Sequence, residues 1–133
     1  MRFVLASLLA LPLFAACDPM LPAAQGTVSI TPGVDARPYT ALELRWEEAN
    51  DHPASGESQR IEAPELPMDF FIGGGIGQTD ASHYRLRAWL TAAPATAPET
   101  TPSAGAPYFD QDLDVHCSGS CDVVENVEIQ LEP

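Results

Sequence analysis

Asp110, Asp112 and Asp114 occupy alternate positions and are followed at the same interval by His116. Carboxylates at that spacing open a twelve-residue calcium loop, but here the obligatory glycine would fall on Val115 and the closing glutamate on Cys121. The loop reading therefore fails. On an extended strand, successive side chains alternate between faces, so the three carboxylates and His116 would share one of them. That face is the basis of one functional alternative, a metal- or ligand-dependent enzyme with Asp112, Asp114 and His116 as its ligand candidates. Its plainer competitor is an ordinary solvated strand face.

Other groups with chemical potential are few. Gly73, Gly74, Gly75 and Gly77 suggest a phosphate-cradling loop, yet Gln78 stands where the dinucleotide fingerprint needs glycine. A turn is the better reading, because apolar alternation rather than a helical period follows. Ser82 and His83 are adjacent and would point to opposite faces of a strand, and no Gly-x-Ser-x-Gly is present. His52, His83 and His116 fall in no spaced ligand motif. Trp89, outward by parity, together with Tyr108 and Phe109, offers a surface for a sugar ring or a protein partner. Alternatively, these aromatics pack beneath the neighbouring Pro-rich loop.

Cys117 and Cys121 enclose Ser118-Gly119-Ser120. An extended chain would hold their Cα atoms about 13 Å apart, against the roughly 4.4 to 6.8 Å that a disulfide tolerates. Pairing therefore demands a turn, and Gly119 permits the positive φ of a three-residue loop. Zinc is the rival, but two thiolates and His116 make only three of the four ligands of a structural site. The disulfide sets Val115 opposite Val123 and Leu113 opposite Glu125. An unbroken strand would turn Glu125 inward with Val127, Ile129 and Leu131, so a bulge or frayed edge is expected between Val124 and Asn126.

The elements that must carry these residues are strands. Val28 and Ile30, Leu42 to Trp46, Ile61, Pro67 to Ile72, Tyr84 to Leu90, Leu113 and Val115, and Val127 to Leu131 alternate with polar neighbours or form short apolar runs. No apolar face recurs at helical spacing. Thirteen prolines and nine glycines punctuate the intervals. An all-β antiparallel sandwich of about seven strands over residues 26–133 is the economical reading. Residues 91–107 (TAAPATAPETTPSAGAP) form a 17-residue Pro/Ala/Thr-rich loop. At that length it is expected to be mobile and removable at little cost in stability.

The first residues give an address. Arg2 precedes a 14-residue, mostly apolar run from Phe3 to Ala16, too short to span a bilayer and read as a signal-peptide core. Leu13-Phe14-Ala15-Ala16-Cys17 resembles the lipobox of bacterial lipoproteins, with Phe14 where leucine is usual. The resemblance implies cleavage after residue 16 and a diacylated Cys17 at the new N-terminus. It places the chain in the bacterial cell envelope, lipid-anchored and periplasmic or surface-facing, with inner and outer membrane both open. Export to an oxidising compartment also favours the 117–121 disulfide. Residues 17–25 read as a short tether without periodicity.

The mature chain would keep five arginines and no lysine against nineteen carboxylates, a net charge of −14 with histidines neutral. That field repels phosphate backbones and anionic headgroups. Nucleic-acid binding is disfavoured, and any membrane link must come through the lipid.

Gly26-Thr27-Val28-Ser29-Ile30, Tyr84-Arg85-Leu86-Arg87-Ala88-Trp89-Leu90 and Val127-Glu128-Ile129-Gln130-Leu131 resemble, in order, the prealbumin-like modules of bacterial surface proteins, also described as carboxypeptidase-regulatory-like or transthyretin-like domains. The resemblance implies a non-catalytic binding, accessory or spacer module, with an envelope protein or glycan as its partner and no cofactor. Many such modules bind calcium in an acidic loop after the Tyr-containing strand. Here residues 91–107 offer only Glu99, so that site is not expected.

Overall fold

The computed structural model describes residues 18–49 and 56–133. Residues 1–17 and 50–55, which include the proposed leader, Cys17 and His52, lie outside the described residues. The strands are β1 (Ala23–Ile30), β2 (Ala41–Glu48), β3 (Gly56–Glu62), β4 (Met68–Gly73), β5 (His83–Thr91), β6 (Tyr108–Asp114), β7 (Cys117–Ser118), β8 (Ser120–Cys121) and β9 (Val123–Leu131). Seven of them build two sheets, ordered β4-β1-β9 and β3-β2-β5-β6, while β7 and β8 form a two-residue hairpin. The fold is the all-β sandwich that the alternation predicts.

Period-two patterning decides what meets between the sheets. Leu42, Leu44 and Trp46 of β2 and Tyr84, Leu86, Ala88 and Leu90 of β5 form one buried cluster with Val28, Phe70, Ile72, Val127, Ile129 and Leu131 of the other sheet. Each fully buried Val, Leu or Ile contributes roughly 1.5–3 kcal/mol. The edge strands β3 and β6 supply only partly buried Ile61, Phe109 and Leu113 to this cluster.

Long-range pairing departs from expectation in two ways. β1 runs antiparallel to β4 but parallel to β9, so the smaller sheet is mixed rather than antiparallel. β6 and β9 belong to different sheets: Leu113 partners Tyr84, and Val123 partners Ala23. The facing of Val115 with Val123 and of Leu113 with Glu125 therefore does not form. Alternation fixes which face of a strand is buried but carries no information on which distant strand lies beside it.

The local features hold. Cys117 and Cys121 are disulfide-bonded and lie opposite each other, with Gly119 at the turn (φ 82°). The irregularity in β9 is also present. Ala24 partners Val124 and Gly26 partners Val127, so two residues of β9 oppose Gln25 alone. Asn126 takes up the left-handed conformation (φ 57°) that Asn tolerates better than most residues. Val124 thereby joins Val127, Ile129 and Leu131 on the core side while Glu125 stays exposed. Closing so short a ring contributes only about 2 kcal/mol. Cys121→Ser should lower the unfolding free energy by that amount, read as a lower denaturant midpoint at nearly unchanged slope, and reductant should do the same to the native protein and nothing further to the variant.

Residues 19–25 are not a tether. Gly77 N–H donates to the Pro19 carbonyl (2.9 Å), Leu21 N–H to Gly75 (2.7 Å) and Gly74 N–H to Pro22 (3.2 Å). On the other side, Cys121 N–H donates to the Met20 carbonyl (2.9 Å), and Met20 N–H to Ser120 Oγ (2.9 Å). Pro22, Ala23 and Ala24 are buried, and β1 begins three residues before the expected domain start. Small residues without periodicity are what such a close approach admits, so the absence of pattern was misleading.

Residues 91–107 are likewise built into the fold. Thr91 Oγ1 donates to Glu99 Oε2 (3.0 Å) and accepts from Ala93 N–H (3.0 Å). Ser103 Oγ donates to Glu99 Oε1 (2.5 Å), and Leu90 N–H to the Pro107 carbonyl (3.1 Å). Glu99, the segment's one carboxylate, ties Ser103 within the segment to Thr91 at the end of β5. The expectation of a mobile, dispensable loop is replaced by that of a structural cover.

Candidate functional site

Asp110, Asp112 and Asp114 share the outer face of edge strand β6, beside Arg87, Arg85 and His83 of β5. Arg85 grips Asp110 through two contacts, Nε to Oδ1 (2.6 Å) and Nη2 to Oδ2. Asp114 Oδ1 lies 2.8 Å from His83 Nε2. His116 lies past the end of β6 and faces Asp122 instead (3.3 Å). Hydrogen bonding to Asp110 raises the Arg85 pKa above its ordinary value, against the opposing effect of burial. A raised arginine loses its proton only as pH climbs beyond the arginine range, so the Arg85 guanidinium stays charged at any physiological pH. On the predicted ligand face Asp110 is thus engaged by Arg85 and Arg87, and Asp114 by His83. Among the described residues no group of three or more His, Cys, Asp and Glu side chains converges as a metal site would.

Ser82 and His83 do not point apart. β5 begins at His83, so alternation does not govern Ser82, and its Oγ lies 2.9 Å from His83 Nδ1. With Asp114 on Nε2, the three residue types of a nucleophilic triad are in contact. Their surroundings are not those of a triad: the His83 and Asp114 side chains are 56% and 91% exposed. Catalytic triads work where water is excluded and oxyanion donors are fixed.

The three aromatics separate. Phe109 turns inward against the core, while Trp89 and Tyr108 are neighbours on the outer face. Tyr108 is exposed, but Trp89 is fully buried. Parity placed Trp89 correctly; what covers it was not legible. Arg45 and Arg87 lie over its ring at 5.8 and 5.3 Å. On the same face, Arg60 joins the carboxylate of Glu43 (2.7 Å) to the carbonyl of Ala93 (2.6 Å), drawing the 91–107 segment over the sheet. Trp89 is therefore unavailable as a docking aromatic.

A concavity of about 460 Å³ remains at the end of the sandwich where the chain enters, lined by Leu21, Pro22, Trp46, Glu57, Gly73 to Gly75 and Tyr84. Several local features shape it. Gly73 has φ 92°, and a side chain there would start 2.5 Å from the Pro22 carbonyl and 2.8 Å from Trp46 Cδ1. Only glycine satisfies both conditions. The Pro22 carbonyl also accepts from Trp46 Nε1 (2.9 Å), locking the indole at the floor. Tyr84 packs on that indole, centroids 4.9 Å apart, and its buried hydroxyl has no hydrogen-bond partner among the described residues. The sequence signal was the glycine run, read as a turn; that it faces Trp46 and Tyr84 depends on the unforeseen docking of residues 19–22. No family model, curated protein or solved structure matches this chain.

Proposed function

We propose that the protein is a lipid-anchored lipoprotein of the bacterial cell envelope that acts as a non-catalytic ligand-binding module. The observation that carries the binding role is the cleft over Trp46 and Tyr84. Its floor is aromatic, its rim is glycine backbone, and among the described residues its titratable lining groups are Tyr84 and Glu57. Apolar walls with a few polar groups suit binding. The ligand class is a small, largely apolar molecule matched to the aromatic floor and glycine rim. The anchor is supported by the lipobox resemblance at Cys17.

The cleft can be blocked without disturbing the fold. A side chain at Gly75 meets no atom within 4 Å of its Cβ position. Gly75→Trp should therefore leave the melting temperature of the free protein nearly unchanged while filling the concavity. A panel of small aromatics and short-chain amphiphiles is screened by thermal shift on both proteins. A ligand at a hundredfold its Kd stabilises by about 2.7 kcal/mol, and that gain should vanish in the variant. Equal shifts in the two proteins would place binding elsewhere.

A further inference from the structure

The packing of residues 19–25 leaves almost no chain between Cys17 and the folded domain. At roughly 3.3–3.6 Å per residue, the Cα of Met20 can lie no further than about 11 Å from that of Cys17. Among the described residues, the end of the sandwich around Met20 carries most of the large apolar side chains left exposed: Met20 (40%), Phe71 (50%), Ile76 (70%) and Val123 (39%). They are neighbours in the fold. Met20 and Ile76 are bridge partners, and Val123 lies beside Ala23 on β1. The Phe71 ring and the Ala23 methyl both stand within 4 Å of where a side chain at Gly74 would begin.

We infer that this end, formed by Met20, Phe71, Ile76 and Val123, is seated in the lipid surface and fixes the orientation of the domain on the membrane. The inference rests on the proposed acylation of Cys17. It goes further, because an acylated N-terminus alone would leave the domain free to tumble. The occupant is lipid rather than a protein partner because the chain enters the fold here, too close to its anchor for a partner to intervene. The contact is apolar, not electrostatic. Asp18, Asp69, Asp122 and Glu125 lie within two residues of the patch, so anionic headgroups would oppose it. The orientation turns the opposite end, with residues 92–107, away from the bilayer, since Thr91 pairs with Ala41 at the far end of β2 from Trp46 and Pro22.

The test uses the full chain expressed with its leader in a bacterium, purified and reconstituted into phosphatidylcholine vesicles. Mass spectrometry of the N-terminal peptide first establishes whether Cys17 is acylated. An unmodified peptide would overturn the anchor and this inference together. With Cys17 blocked by lipid and Cys117 paired with Cys121, Ile76→Cys and Thr96→Cys each supply a single thiol for an environment-sensitive fluorophore. The probe at 76 should be quenched by nitroxide-labelled acyl chains and reached by aqueous iodide at least about fivefold less than the probe at 96. Adding Met20→Ser and Phe71→Ser, both at exposed positions, should bring iodide quenching at 76 up to that at 96 with an unchanged circular dichroism spectrum. Equal iodide access at 76 and 96 in the acylated parent protein would overturn the seated orientation while leaving the anchor standing.

Discussion

Gly26→Ala should be the most damaging single-methyl change in the domain, lowering stability by about 3 kcal/mol or more and the melting temperature by about 10 °C or more. A Cβ on Gly26 would sit 1.8 Å from the carbonyl oxygen of Val127 and 2.7 Å from its nitrogen. Neither atom is the tip of a flexible side chain. Both belong to the backbone of β9 just past its bulge, where Glu125 and Asn126 together oppose Gln25. Relief would require separating β9 from β1, and β9 carries Val127, Ile129 and Leu131 into the core. Gly75→Ala is the matched control: the same methyl enters open space and should change stability by less than about 0.5 kcal/mol. Thermal melts of the two variants decide the matter. Equal, small effects would mean that the parallel pairing of β1 with β9 is not the native register.

The same stretch shows what the sequence could and could not disclose. Val127, Ile129 and Leu131 announce a half-buried strand by parity alone, and Glu125 breaks that parity, so an irregularity was foreseeable from residue types. Gly26 gave no sign of what would press on it, because its neighbour Val127 is far away in the chain. The disulfide was legible for the opposite reason: four residues of separation leave only a turn as a solution. Residues 19–25 and 91–107 failed through composition. Pro, Ala and Thr look like linkers because small side chains make no periodic pattern, yet small side chains are also what close packing requires. Pro22, Ala23 and Ala24 are buried for that reason. The acidic strand failed differently. Asp110 and Asp114 do share a face, but register supplies Arg85, Arg87 and His83 beside them, and register is a long-range property.

Trp89→Ala should cost about 3–5 kcal/mol, as expected for truncating a buried aromatic, although Trp89 lies on the outer face of its sheet rather than between the sheets. Its ring lies under Arg45 and Arg87, a cation–π arrangement strengthened where water is excluded. Trp89→Phe should lose well under half as much. It keeps an aromatic face for both guanidinium groups and deletes an indole N–H that is buried with no acceptor among the described residues, whereas the Nε1 of Trp46 is bonded to Pro22. The cover makes a sharper test possible. If residues 92–107 stand between Trp89 and solvent, replacing 94–105 by a short Gly-Ser link exposes the indole, and Trp89→Ala should then cost far less than in the full chain. Coupling of that kind is expected only between groups in contact. Chemical denaturation of the parent, the two single variants and the combination closes the cycle. Strict additivity would show that the segment does not cover Trp89, and that its hydrogen bonds through Glu99 hold it against some other part of the sheet.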